Sequence, residues 1–218
     1  MSERTERLIG GLSGIAALVL SVGGFALVGA AGFALQPAPS REDVAKAASD
    51  GNTALALAGV YLDTLGSLFL IAFAAYLAAR LRRAEGEGGW LALASFASAL
   101  LMVAAGLGDK AAYYAIFSRA DSGLDAAVGA ALYDTATGFF VLFQALAGFF
   151  LLVTGGAALR TGALRRWLAW AGVAIGAASI ASTAAPESGV GQLAFPLVFA
   201  WIVAVAVTLL RPRATAAG

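Results

Sequence analysis

The chain contains no cysteine and no histidine. That excludes disulfides, thiol chemistry, thiolate or imidazole metal sites and histidine-ligated haem. A serine triad with a histidine base is excluded too. Any metal would need oxygen ligands alone, and no cofactor is expected. Charge is also scarce: 12% of the 218 residues are charged, against about 25% in a soluble domain. The net charge is +1 and the basic residues are scattered, whereas nucleic-acid binding wants a concentrated basic face. Nucleic acid is therefore not an expected partner.

Apolar residues fill the space that charge leaves. They make up 61% of the chain, and mean hydropathy is +0.85. A soluble domain is about 45–50% apolar. The composition reads as an all-α polytopic membrane protein whose main partner is the lipid bilayer. A chain of 218 residues holds about six spans of roughly 20 residues with short loops, so residues 1–218 form a single membrane domain. The apolar runs place helices at about 8–35, 53–79, 90–117, 126–159, 167–183 and 193–210. The first run follows Arg4 and Arg7 and so resembles a signal peptide. It is nearly twice the roughly 7–15 residues of a signal h-region, so a retained first helix is expected. Gly155-Gly156 marks a candidate break in the fourth helix.

Orientation follows from the basic residues. Arg4, Arg7, Arg80, Arg82, Arg83, Arg160, Arg165, Arg166, Arg211 and Arg213 fall on one side; Arg41, Lys46 and Arg119 fall on the other. Positive loops stay cytoplasmic, which puts both ends inside and requires an even number of spans. Trp90 and Trp167 open helices at the inner boundary, as interfacial aromatics do. In the outer loop 36–52, Ser40-Arg41-Glu42-Asp43 reads as an N-cap followed by an acidic first turn. A short amphipathic helix over Ser40–Ala48 would cover the outer mouth; a solvated loop is the alternative.

Four charges lie inside the apolar segments: Asp63, Asp109, Lys110 and Asp134. A carboxylate at the bilayer centre costs roughly 2.5–3.5 kcal/mol, so its presence calls for a reason. Counted from the arginine-marked boundary at 1.5 Å per residue, Asp63 sits about 26 Å up and Asp109 about 29 Å, near the outer edge of a core about 30 Å thick. Asp134 lies higher unless its helix breaks or tilts. Asp109 and Lys110 are adjacent and point about 100° apart, so Lys110 is expected to reach Asp63 or Asp134 on another helix. Tyr61, Tyr113, Tyr114, Tyr133, Thr64, Thr135 and Thr137 are placed to satisfy the remaining hydrogen bonds. One lysine leaves the aspartates in excess, and the difference calls for a proton, a small cation or a cationic small molecule.

The function this pattern supports is a small transport or ion- or ligand-binding protein with a carboxylate-lysine site in the outer leaflet. Asp63 and Asp134 would take protons or a cation, and Lys110 would tune them. The alternative is a non-catalytic structural or accessory subunit, in which the same polar groups hold helices together. Association into homo- or hetero-oligomers fits either reading.

Gly106-Leu107-Gly108-Asp109 matches the GxGD signature of intramembrane aspartyl proteases, and Tyr133-Asp134 resembles their tyrosine-aspartate motif. That family places the tyrosine-aspartate helix before GxGD, and here it follows. The family's Pro-Ala-Leu motif is replaced by Phe195-Pro196-Leu197. With 27 glycines, such a string arises by chance about once in ten chains of this composition. A protease is the remote alternative, and the reading leans away from an enzyme.

Smaller signals remain. Tyr61-Leu62-Asp63-Thr64 and Leu132-Tyr133-Asp134-Thr135 hint that two helical hairpins are repeats. Gly10–Gly14 and Gly172–Gly176 have the GxxxG spacing that permits close helix contact. Pro196 is placed to kink the sixth helix, and Gln144 to bond a neighbour.

The segment Gly162-Ala163-Leu164-Arg165-Arg166-Trp167-Leu168-Ala169-Trp170-Ala171-Gly172 is similar to the loop leading into helix five of domain-of-unknown-function family 4386, a bacterial family of six-helix membrane proteins. The helix layout resembles that family as well. Its members often carry proline before the arginine-tryptophan pair, where this chain has Arg165. The resemblance implies a six-helix fold in a bacterial plasma membrane and carries no activity. High alanine and glycine with little lysine suggest a GC-rich bacterial source of the actinomycete type.

Overall fold

A computed structural model describes residues 3–33, 40–87, 89–184 and 189–211. Among them, every regular element is a helix. α1 covers Glu3–Val28 and runs into a π-helical turn at Gly29–Phe33. Gly32 there has φ 94°, a left-handed conformation that ends the helix and that residues with a Cβ adopt at a cost. α2 is Arg41–Asp50, α3 Thr53–Glu85, α4 Leu91–Arg119, α5 Ala126–Thr161, α6 Arg166–Ser182 and α7 Gly189–Leu210. Four stretches are long and apolar enough to cross a membrane: Arg4–Phe33, Thr53–Glu85, Leu91–Arg119 and Ala126–Thr161. α6 has 17 residues, about 26 Å at helical rise.

Helix starts follow their caps. The Asn52 side chain accepts from Leu55 N–H at 3.0 Å, and Asp125 accepts from Ala127 and Val128 N–H at 2.9 and 3.1 Å. These caps open α3 and α5 at the residues where the apolar runs begin. Ser40 and Asp43 form a reciprocal capping box that opens α2. The amphipathic helix expected in the outer loop is therefore present. It buries Val44 and Ala48 and packs on α5.

The helices pack in chain order. α1 lies along α3, α4 along α5 and α6 against α7; α3 meets α4, α5 meets α6, and α1 against α7 closes the ring. Close approach is set by glycine. A Cβ on Gly24 would come within 2.5 Å of the Gly59 carbonyl oxygen, and one on Gly59 within 2.6 Å of the Gly24 carbonyl oxygen. Gly148 of α5 and Gly176 of α6 face each other in the same way, at 2.7 and 2.6 Å. Both GxxxG pairs act within the chain. Gly10 and Gly14 receive Tyr76 and Phe73, while Gly172 receives the Trp201 indole.

Two apolar clusters result. The larger is built from Phe73, Leu77, Met102, Phe150, Leu168 and Trp201 with their neighbours. The smaller holds Ala31, Phe33, Ala56, Ile116 and Phe117, with Phe33 and Phe117 rings 4.2 Å apart. Polar ties join helices to one another and to the loop between α5 and α6. Ser95 Oγ and Thr154 Oγ1 lie 2.7 Å apart, Trp201 Nε1 donates to Leu168 O at 2.8 Å, and the Arg80 guanidinium donates to Ala163 O at 3.1 and 3.0 Å.

Two expectations change. α5 runs unbroken through Gly155-Gly156, because Gly155 is a contact point: a Cβ there would stand 2.7 Å from Ala169 O. Asp134, 26 residues before Arg160 on an uninterrupted helix, therefore stands about 39 Å from that residue. The two hairpins of the suggested repeat are the most closely packed pairs, yet Gly66 is buried against Ser21 while Gly138 meets nothing. The shared pattern does not carry shared contacts.

Candidate functional site

α3 and α4 bring Asp63 and Lys110 to one level, between the two apolar clusters. Leu70 and Val103 belong to the larger cluster on one side, and Ala56 and Ile116 to the smaller on the other. Lys110 Nζ lies 2.9 Å from Asp63 Oδ2, with the side chains 11% and 26% exposed. The ammonium also donates to Gly106 O, one turn back on its own helix, at 3.1 Å. Two of its three protons are thus committed, and the charge of Asp63 is matched. Of the two aspartates considered for Lys110, Asp63 is the partner.

Asp109 is not part of that ion pair. Among the described residues it makes no hydrogen bond or ion pair, though it lies within electrostatic range of Lys110, Asp63, Tyr113 and Tyr133. The Tyr113 and Tyr133 rings meet edge to face at 6.4 Å, and Tyr113 stacks on Phe117 at 5.8 Å. Asp63, Lys110, Asp109, Tyr113 and Tyr133 therefore share one neighbourhood where α3, α4 and α5 meet. Among the described residues it holds one matched ion pair and one carboxylate outside any ion pair.

Other expected members stand apart. Tyr61 is 64% exposed and points out of the bundle. Asp134 is exposed and, among the described residues, forms no ion pair; it is in electrostatic range of Tyr133. Asp134 and Tyr133 differ by only about 1.5 Å in height, so the turn of about 100° between successive residues separates them, not depth. Thr135 is exposed and donates to Ala131 O at 2.8 Å; Thr64 donates to Val60 O at 2.8 Å, and Thr137 to Tyr133 O at 3.1 Å. These hydroxyl protons serve their own helices, the ordinary back-bond of threonine within a helix, and not the carboxylates.

The GxGD string has a packing explanation. A Cβ on Gly108 would stand 2.6 Å from the Phe139 ring, and one on Gly106 3.2 Å from Phe143. The two glycines let α5 phenylalanines lie against α4. Gln144 is buried.

Sequence reasoning missed two clefts near the arginine-rich end. One, of about 920 Å³, is lined by Glu6, Arg82, Arg83, Glu87, Trp90 and Leu93, among others. The second, of about 330 Å³, is lined by Ala158, Leu159, Gly162, Leu164, Arg166 and Trp170. An Arg with a Trp on the same helical face was the available signal, legible at Arg166 and Trp170. Searches of family models, curated proteins and solved structures match nothing to this chain.

Proposed function

We propose that this is a small transport or ion- or ligand-binding protein of a bacterial plasma membrane. In this reading six helices span the bilayer, both ends are cytoplasmic, and Asp109 takes the exchangeable proton or cation. The observation that carries it is the uncompensated charge of Asp109 beside an already neutral Asp63–Lys110 pair. A carboxylate in low dielectric is costly unless a proton or cation accompanies it. Tyr113 and Tyr133 add ring faces, which attract small or organic cations, and hydroxyls that can ligate them. The similarity of residues 162–172 to the six-helix family supports the span count, and the distribution of arginine supports the orientation.

The test uses purified protein in nanodiscs and proteoliposomes. Thermal stability is followed against sodium, potassium, tetramethylammonium and pH, and cation or proton flux is measured in parallel. Asp109→Asn should abolish the response while the protein remains folded. A wild-type response that persists in Asp109→Asn would discredit the assignment.

An accessory, non-catalytic subunit is the second reading. The completed Asp63–Lys110 clamp favours it, since an interhelical tie needs no ligand. On this reading Asp109→Asn is silent, and crosslinking in native membranes traps a second protein.

A further inference from the structure

Both clefts near the arginine-rich end pair arginine with an exposed tryptophan, but their electrostatics differ. In the larger one, Arg82 and Arg83 are opposed by Glu6 and Glu87, and Arg83 is already engaged with Glu6 at 3.5 Å. Its charge cancels. In the smaller one, Arg166 is the only charged lining residue among the described residues. The neighbouring Arg160 and Arg165 are exposed and add to the same sign.

The residues of the smaller cleft are of the types that gather at a bilayer boundary. Arg166 opens α6 and Trp170 follows one turn later on the same face. Trp170 is 55% exposed, an indole of the kind that sits at headgroup depth. Leu159 and Leu164 form an apolar wall beside them. The cleft thus combines a cation at the start of α6, an amphipathic ring one turn along it, and leucine side chains from the end of α5 and the loop before α6. A phospholipid offers a phosphate to the cation, and its glycerol-ester and acyl parts suit the ring and the leucines.

We infer that this cleft is a binding site for an anionic phospholipid, with the phosphate on Arg166 and the glycerol-ester region against Trp170. A net positive cleft favours phosphatidylglycerol-type lipids over zwitterionic ones, because choline would bring a second cation towards the arginines. The cleft is separate from the Asp109 neighbourhood, and the site presupposes only that the bundle sits in a bilayer.

The experiment titrates detergent-solubilised protein with phosphatidylglycerol or phosphatidylcholine, scored by native mass spectrometry, with inorganic phosphate as competitor. Phosphatidylglycerol should bind more tightly than phosphatidylcholine. Arg166→Gln should weaken phosphatidylglycerol binding about fivefold, the equivalent of about 1 kcal/mol for one arginine near an anionic surface, and leave phosphatidylcholine unchanged. Arg82→Gln, in the other cleft, should bind as wild type does. Equal binding of the two lipids, wild-type binding by Arg166→Gln, or an equal loss in Arg82→Gln overturns the site. Displacement of the lipid by millimolar inorganic phosphate overturns the lipid and leaves a free-anion site. Binding of neither lipid overturns the site together with the membrane reading on which it rests.

Discussion

Lys110 Nζ reaches Asp63 Oδ2 at 2.9 Å while holding Gly106 O at 3.1 Å, so one ammonium ties α4 to α3 and back to itself. The tie sits where the two apolar clusters part. Its neighbour Asp109 has no such partner, and that asymmetry separates a clamp from a site.

If the pair is a clamp, removing one partner strands a charge. Asp63→Asn and Lys110→Met should each destabilise the fold by roughly 1–3 kcal/mol, between the values for buried pairs and for polar contacts in membrane proteins. The double variant should lose clearly less than the sum. Thermal unfolding in detergent measures this, and additive losses would show that the two side chains do not act together.

Glycines at close approach should not tolerate side chains. Gly148→Val and Gly176→Val would push a side chain into a facing backbone oxygen and should cost roughly 3 kcal/mol or prevent folding. Gly138 and Gly156 meet nothing within 4 Å, so alanine at either should be neutral or stabilise by roughly 0.5–1 kcal/mol. Unfolding midpoints in one detergent compare the four directly; a reversed order would mean that the α5–α6 contact is misplaced.

The cap of α2 should respond to acid. Asp43 Oδ2 accepts from Ser40 Oγ at 2.7 Å and from Ser40 N–H at 3.0 Å, and these bonds hold its carboxyl below the ordinary value of 3.8. A lowered carboxylate contributes stability that is complete above the ordinary value and is lost as pH falls through the lowered one. Amide exchange over residues 40–51, corrected for intrinsic rates, should show α2 protected at pH 6 and loosened below about pH 3.8. Asp43→Asn should flatten that dependence; an unchanged profile would place the acid sensitivity elsewhere.

Trp201 Nε1 joins α7 to the Leu168 carbonyl of α6 at 2.8 Å. Trp201→Phe should lose that bond at a cost of about 1 kcal/mol and keep most of the ring packing against Phe150. A loss several times larger would point to packing and not to the hydrogen bond.

Several features were legible before any coordinates. Asn52 and Asp125 precede apolar runs, and α3 and α5 begin at the residues after them. Ser40 with Asp43 three residues on announced α2. These signals are local, since a cap and its first turn lie within four residues. The level of Asp63 and Asp109 also followed from counting residues, because helical rise is constant.

Contacts between helices were less legible. Gly155-Gly156 suggested a break because glycine weakens a helix, and the close passage of Ala169 on α6 overrode that tendency. Asp134 carries the same local pattern as Asp63 and a different fate. Thr64 and Thr135 resembled carboxylate ligands until their helices claimed the hydroxyl protons.

Composition and periodicity by themselves determined that this chain forms long apolar helices, capped where they start and flanked by arginine at one end. Each of those properties belongs to a segment and to its solvent. Only the tertiary structure decided that Asp63 takes Lys110, that Asp134 is exposed and that Asp109 has no ion-pair partner among the described residues. Those outcomes depend on which helix faces meet and at what height, and no single segment encodes the rotation of its neighbour.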